Sequence, residues 1–346
     1  MAIANSQLHK DVPLTGYVQA WKPPQTDWFM REKIFPLLTV DKATNIYRVI
    51  DQGTMMQVVD ANVGANGRVK EVDFGIGSDG QYRCVPRALE GRIDHYERKQ
   101  ADDQIQYEQR KTDIPMLVLT NTLEKVALVD TLRPTANLGT SYKTLDPTGE
   151  LFDDYGSGDS DPINEFLVAC DRIMTVIGHK PNTVVIDRLV WRAISQHPAV
   201  LNRVLGGATT SALARITIKQ FEQLLEDVLE PGSINVTRFR YNNVTEPGTK
   251  TNISAIGPDI SISFTEPPSM DSVGAAHEFS FVGEGDDEPI GVYTFEDPKQ
   301  GVDGSTIVRV RKSCDFKLAK LDAMYVLKDC VDVADAKYAS QLVSVA

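Results

Sequence analysis

Three residues whose types could form a hydrolytic centre lie in one stretch, "PNTVVIDRLVWRAISQHPAVLNRVLGG": Asp187, Ser195 and His197. Their positions argue against that chemistry. The serine nucleophile of an α/β hydrolase stands on a sharp strand-to-helix elbow framed by glycines, whereas Ser195 falls late in a helical pattern with no glycine beside it. His197 follows two residues later, so its side chain leaves the helix in another direction. Asp187 ends the apolar strand "TVVI" and is placed to cap the helix after it. A structural role is the preferred reading for all three.

The other chemistry-like patterns are weaker. "GIGSDG" (Gly75–Gly80) matches a dinucleotide fingerprint by letters, but that fingerprint needs an apolar helix after it to receive the pyrophosphate. Here "QYRCVPRAL" follows, with β-type residues and an internal proline, so the segment reads as a hairpin tip. The acidic loops "DDYGSGDSD" and "GEGDDEP" lack the ligand spacing of an EF-hand. His9, His95, His179, His197 and His277 form no His-x-x-x-His pair. Cys84, Cys170, Cys314 and Cys330 form no Cys-x-x-Cys pair, which points to free thiols in a reducing compartment. No cofactor, no metal and no enzymatic activity are expected.

Charge and hydropathy narrow the classes further. With 36 basic and 48 acidic residues the formal charge is -12. A protein that grips phosphates usually carries a basic stripe, and the short cluster "RVRKS" sits inside an alternating strand pattern. No apolar run approaches the roughly 18 residues of a membrane span, and no export signal is visible at the amino terminus.

The elements follow from periodicity and punctuation. Pro13, Gly16, Pro23 and Pro24 keep the first ~25 residues extended, and "TDWFMREKIFP" reads as a short helix capped by Thr26 or Asp27. From Thr39 to Ile93 the pattern is strands and glycine-rich turns, with a long hairpin poor in core residues. "DHYERKQADDQIQYEQRK" reads as helical, and a long helix is expected to start at Asp113 with Pro115 in its first turn and end before Pro134. Asp161, Pro162 and Gly178 bracket a helix whose apolar residues recur every three or four positions. Thr217 and Gln220 have capping-box spacing. Near the carboxyl end, "STIVRVRKSCDFKLAK" and "AMYVLKDCVD" read as a strand turning back on itself at Leu321–Asp322.

The ordered series "LFDDYGSGDSDPINEFLVACDRIMTVIGHKPNTVVIDRLVWRAISQHPAVLNRVLG", "RITIKQFEQLLED", "VTRFRYN" and "KLAKLDAMYVLKDCV" resembles the major capsid proteins of tailed bacteriophages. Phe152 stands where that family often has tryptophan. The resemblance implies an α+β, Hong Kong 97-like shell fold. It implies an N-terminal arm at 1–24, a first part of the peripheral domain at 25–51 and an E-loop hairpin at 52–88. The peripheral domain with a spine helix would fill 89–150, the axial domain 151–296, and peripheral return strands 297–346. It implies self-assembly into pentamers and hexamers that close an icosahedral head around double-stranded DNA. Other copies of the chain, a scaffolding protein, a portal and a decoration protein are the implied partners, with only non-specific proximity to DNA and no membrane. The chain opens directly with its arm, which implies a separate scaffold or an already trimmed form, made in the bacterial cytoplasm and carried in the virion. Tyr17, Trp21, Met55, Val63, Arg68, Phe74 and Tyr82 are the expected assembly-interface residues. An encapsulin-type cargo shell is the first alternative, and a soluble α/β hydrolase the second.

Overall fold

A computed structural model describes residues 9–10, 29–50, 58, 61–62, 76–101, 104–204, 215–242, 250–267, 274–283, 289–299, 302–332 and 344–345. In chain order the elements are β1 (His9–Lys10), α1 (Arg31–Ile34), β2 (Leu37–Val40), β3 (Thr44–Ile50), β4 (Ile76–Arg83) and β5 (Val85–Asp94). Then come α2 (His95–Gln100), α3 (Gln104–Lys125) continued by a π-helical segment Val126–Leu132, α4 (Thr135–Leu138) and β6 (Tyr142–Thr144). The middle holds α5 (Pro162–Ile177), β7 (Thr183–Asp187), α6 (Arg188–Gln196), α7 (Pro198–Val204), α8 (Ile218–Leu224), β8 (Ile234–Thr237), β9 (Arg240–Asn242), β10 (Lys250–Ser254) and β11 (Ile260–Ser263). The chain closes with β12 (Ala276–Phe281), β13 (Ile290–Asp297), β14 (Ser305–Leu318), β15 (Met324–Lys328) and β16 (Ser344–Val345).

Two sheets organise these elements. The first runs β1-β13-β14-β12-β2, with β5 also paired to β14, and the second runs β6-β15-β11-β7-β8. One continuous apolar core joins α3, α5 and the inner faces of both sheets. The strands do not follow the expected division at residue 296. β12 and β13 belong to the first sheet beside β14, whereas β15 enters the second between β6 and β11. The expected carboxyl-terminal hairpin is therefore absent. A 3-10 turn at Leu321–Ala323 carries the chain from one sheet to the other, and β14 and β15 never pair.

Local signals explain the middle of the chain. Asp161 accepts from the N–H groups of Ile163 and Asn164, Pro162 takes the first helical position, and Gly178 ends α5 in the left-handed region at φ 76°. Its buried face is Ile163, Phe166, Ala169, Cys170, Ile173 and Ile177. All five residues of β7 are buried, as suits a strand flanked by parallel β8 and antiparallel β11. Thr217 and Gln220 form the expected capping box at α8.

Two proline and glycine expectations are overturned. α3 begins at Gln104, not Asp113, and carries Pro115 in its interior. Proline cannot donate to the Lys111 carbonyl four residues back, and Gly91 of β5 lies against that carbonyl so closely that a Cβ would overlap it. "GIGSDG" is not a hairpin tip in its described part. Ile76–Gly80 run in β4 and pair with β3, with a bulge at Val49/Ile50. Gly80 is needed there because the Tyr47 ring, directly opposite, covers its Cα. The strand β5 follows, and no helix stands where a pyrophosphate would need one.

Candidate functional site

Asp187, Ser195 and His197 are not brought together for catalysis. Asp187 accepts from the Leu189 N–H at 2.9 Å and from the Ser254 hydroxyl at 2.6 Å. Burial raises its pKa, although both of those bonds favour the charged form. The Ser195 hydroxyl donates to the Arg192 carbonyl at 3.0 Å, within its own helix.

His197 does meet a serine, and the proton directions define its role. The Ala199 N–H donates to His197 Nδ1 at 3.2 Å, so Nδ1 has no proton. Nε2 then carries the proton and donates to Ser160 Oγ at 3.0 Å, while Ser160 donates to the Leu151 carbonyl at 2.7 Å. A general base would need Nε2 free to accept from the hydroxyl. The pair instead fastens the loop at 151–160 to the end of α6. Burial holds the His197 pKa below its ordinary 6.5, with Asp161 pulling the other way. This bond therefore contributes stability above about pH 6.5 that is lost as pH falls.

A mutational contrast follows. His197→Ala is expected to cost about 2–4 kcal/mol by denaturant unfolding, because a cavity opens and two hydrogen-bonding groups lose partners. Ser195→Ala should stay within ~1 kcal/mol, since it removes one local back-bond.

The four cysteines are free and buried, and burial pushes the thiols of Cys84, Cys170 and Cys314 to about 11, about 12 and about 11. That disfavours the reactive thiolate. Among the described residues no group of three His, Cys, Asp or Glu side chains could hold a metal, and no helix is long and apolar enough to cross a membrane.

What the structure does present is surface. Arg110, Ile114, Val118 and Thr122 form an i, i+4 row of exposed residues along α3. Ile114 is 62% and Val118 46% exposed, on a helix whose other side is in the core. Of the seven expected interface residues, Tyr17, Trp21, Met55, Val63, Arg68 and Phe74 lie outside the described residues. Tyr82 is corrected. Its ring is buried and stacked on Phe279, with centroids 4.5 Å apart. With Tyr47, Cys84 and Val40 it forms a small second core that fixes the base of the β3–β4 ribbon to its own chain. The chain itself already covers this ring.

A buried charge cluster lies beneath the first sheet. The Glu278 carboxylate of β12 is 3.3 Å from Arg31 Nε and 2.5 Å from Lys312 Nζ, and all three side chains are under 10% exposed. Burial alone would raise the Glu278 pKa, but Arg31 and Lys312 outweigh it and hold it below the usual carboxylate value. Glu124 of α3, also fully buried, accepts the backbone N–H groups of Met30 and Arg31. It caps α1; Thr26 and Asp27, the expected caps, lie outside the described residues. Nothing local signals this cap, because the partners are 94 and 93 residues apart.

Neither a family model nor a curated protein matches the sequence. Solved structures do. A phage-related protein from Bordetella bronchiseptica is 20% identical with a TM-score of 0.69, over 93% of this chain and 98% of its own. The capsid of cyanophage P-SCSP1u is 9% identical with a TM-score of 0.53, over 87% and 88%. The SrpI encapsulin of Synechococcus elongatus is 14% identical with a TM-score of 0.50, over 94% and 97%. The chain thus has the Hong Kong 97-like capsid fold.

Proposed function

We propose that this chain is the major capsid subunit of a tailed phage, assembling through pentamers and hexamers into an icosahedral head around double-stranded DNA. The observation that carries the reading is the likeness to a cyanophage capsid and to an encapsulin over 87% and 94% of the chain, not over one half. Its own surface agrees, because α3 exposes Ile114 and Val118, one turn apart, which a neighbouring copy can bury. In this reading residues 1–24 are the arm, and the chain between β3 and β4 is the hairpin that reaches the next subunit; Val85–Ala88, expected in that hairpin, pair with β14 in the first sheet instead. Tyr17, Trp21, Met55, Val63, Arg68 and Phe74 lie at the contacts. A scaffolding protein, a portal and a decoration protein are the auxiliary partners, and the product is a virion component.

The test is Ile114→Asp with Val118→Asp. Both side chains face outward, so the circular dichroism spectrum is expected to stay native while light scattering and negative-stain microscopy show no shells. Shells at the wild-type yield would contradict the assignment of this face. The encapsulin likeness favours a cargo shell as the second reading, and the contents of purified particles, DNA or protein, decide between the two.

A further inference from the structure

α6 buries Leu189, Val190, Ala193 and Ile194 and leaves Arg188 and Arg192 exposed, one turn apart. Gln196 stands one turn further on, and its side-chain oxygen accepts from Arg215 Nη2 at 2.7 Å and Nε at 2.8 Å. Three guanidinium groups thus follow one side of the helix in steps of about 6 Å. Two contacts make this a single surface with the chain that leads to α8. Ile216 N donates to the Ser195 carbonyl at 3.2 Å, and the Trp191 and Phe221 rings pack with centroids 5.8 Å apart. Arg215 and Lys219 are exposed beside it.

The charge of this stretch is unlike that of the whole chain. Arg188, Arg192, Arg203, Arg215 and Lys219 fall between Arg188 and Phe221 without one Asp or Glu among them, in a sequence with 48 acidic and 36 basic residues. Like charges one turn apart weaken a helix, and no acidic residue of α6 offsets the repulsion. The carboxylates that border the stretch are engaged elsewhere. Asp187 is buried and holds Leu189 N and the Ser254 hydroxyl, Asp161 pairs with Arg203 at 2.9 Å, and Glu222 accepts from Ile234 N. Among the described residues no Asp or Glu forms an ion pair with Arg188, Arg192, Arg215 or Lys219.

We propose that this face of α6 binds the phosphate backbone of duplex DNA and marks the side of the subunit turned toward the enclosed genome. Guanidinium forks match pairs of phosphate oxygens. A duplex presents a negative charge about every 1.7 Å along its axis, so a row of this length meets several phosphates. Contacts to phosphate carry no sequence information, which suits an enclosed genome of any sequence. One such contact is weak, and a shell repeats it in every subunit. The choice of DNA over another polyanion rests on the reading of the chain as a shell subunit around DNA; the cationic face does not.

The test is fluorescence anisotropy of a short labelled duplex, titrated with the full chain below the concentration at which light scattering shows shells, over a series of salt concentrations. Arg188→Gln with Arg192→Gln is expected to weaken binding about tenfold at low salt and to reduce the slope of log affinity against log salt by about 2. Lys42→Gln with Lys299→Gln removes the same charge at exposed positions outside this face and should leave that slope unchanged. Absence of wild-type binding at low salt overturns the proposal. So does equal weakening in the two double variants, which would mean that only net charge acts. Poly-glutamate bound as tightly as the duplex assigns the face to an acidic protein and overturns DNA as its partner. Should the arginine pair not fold, Arg192→Gln alone decides, with an expected fall in slope of about 1. The assay does not read assembly: lost binding with intact shells removes this inference alone, and shells filled with protein remove the DNA reading of the particle.

Discussion

Glu278→Ala is expected to lose about 3–5 kcal/mol of folding stability. The carboxylate is the shared partner of two buried cations, Arg31 at 3.3 Å and Lys312 at 2.5 Å. Removing it leaves Lys312 without its counter-charge, and Arg31 with only the exposed Glu32 at 3.0 Å, in a site that excludes water. Solvating a buried ammonium or guanidinium then needs partial unfolding of α1, β12 and β14 together. Lys312→Met should cost less, because Glu278 keeps Arg31 and one charge is removed along with its own desolvation cost. Equilibrium urea unfolding of the two variants separates them. Equal losses would mean that the cluster does not act through Glu278.

The pH response of the wild type reflects the same balance. The Glu278 pKa is depressed, so its contribution is present above about 4.5 and lost as pH falls through the lower folded value. His197 adds a loss that begins near 6.5 on acidification. Glu124 runs the other way, with stability present below 4.5 and lost as pH rises to about 7. Between 4.5 and 6.5 the slopes of His197 and Glu124 oppose each other. A flat stability curve there is thus no sign that either group is silent, and single variants are needed to separate them.

How much of this was readable beforehand depended on the range of each interaction. The Asp161–Pro162 start and Gly178 stop of α5, the Asp187 cap and the Thr217–Gln220 box all involve neighbours within a few residues, and they occur as expected. The resemblance to phage capsid proteins rested on this same middle block. Reading failed where a residue answers to a distant one. Gly80 reads locally as a turn glycine, but its freedom is spent on the Tyr47 ring across the ribbon. The turn at Leu321 reads as a hairpin, because local sequence does not say which of two sheets will receive the next strand. Ser160, the partner of His197, and Glu124, the cap of α1, are 37 and 94 residues from the groups they hold. A polar residue inside an apolar helical pattern is the one signal that could have marked Glu124, and it does not name the partner.

The same long-range logic sets the outcome expected at Gly91. A proline inside a helix normally costs about 3 kcal/mol, yet α3 runs through Pro115 for 22 residues without ending. The compensation is close packing. β5 approaches α3 at Gly91, beside the Lys111 carbonyl that Pro115 leaves without its helical donor. In Gly91→Ala the new Cβ would overlap that backbone oxygen and come within 2.9 Å of Pro115 Cγ. Neither atom belongs to a flexible side chain that could move aside, so helix and strand must separate, at a cost of about 3 kcal/mol. Pro115→Ala should be nearly neutral, because losing the ring contact is offset by restoring an N–H to Lys111. Because α3 also carries Ile114 and Val118, a shift of the helix displaces the exposed row relative to the β3–β4 ribbon. Gly91→Ala should therefore lower shell yield even at temperatures where the chain stays folded. Wild-type stability in Gly91→Ala, measured by urea unfolding, would show that this contact does not hold α3 in place.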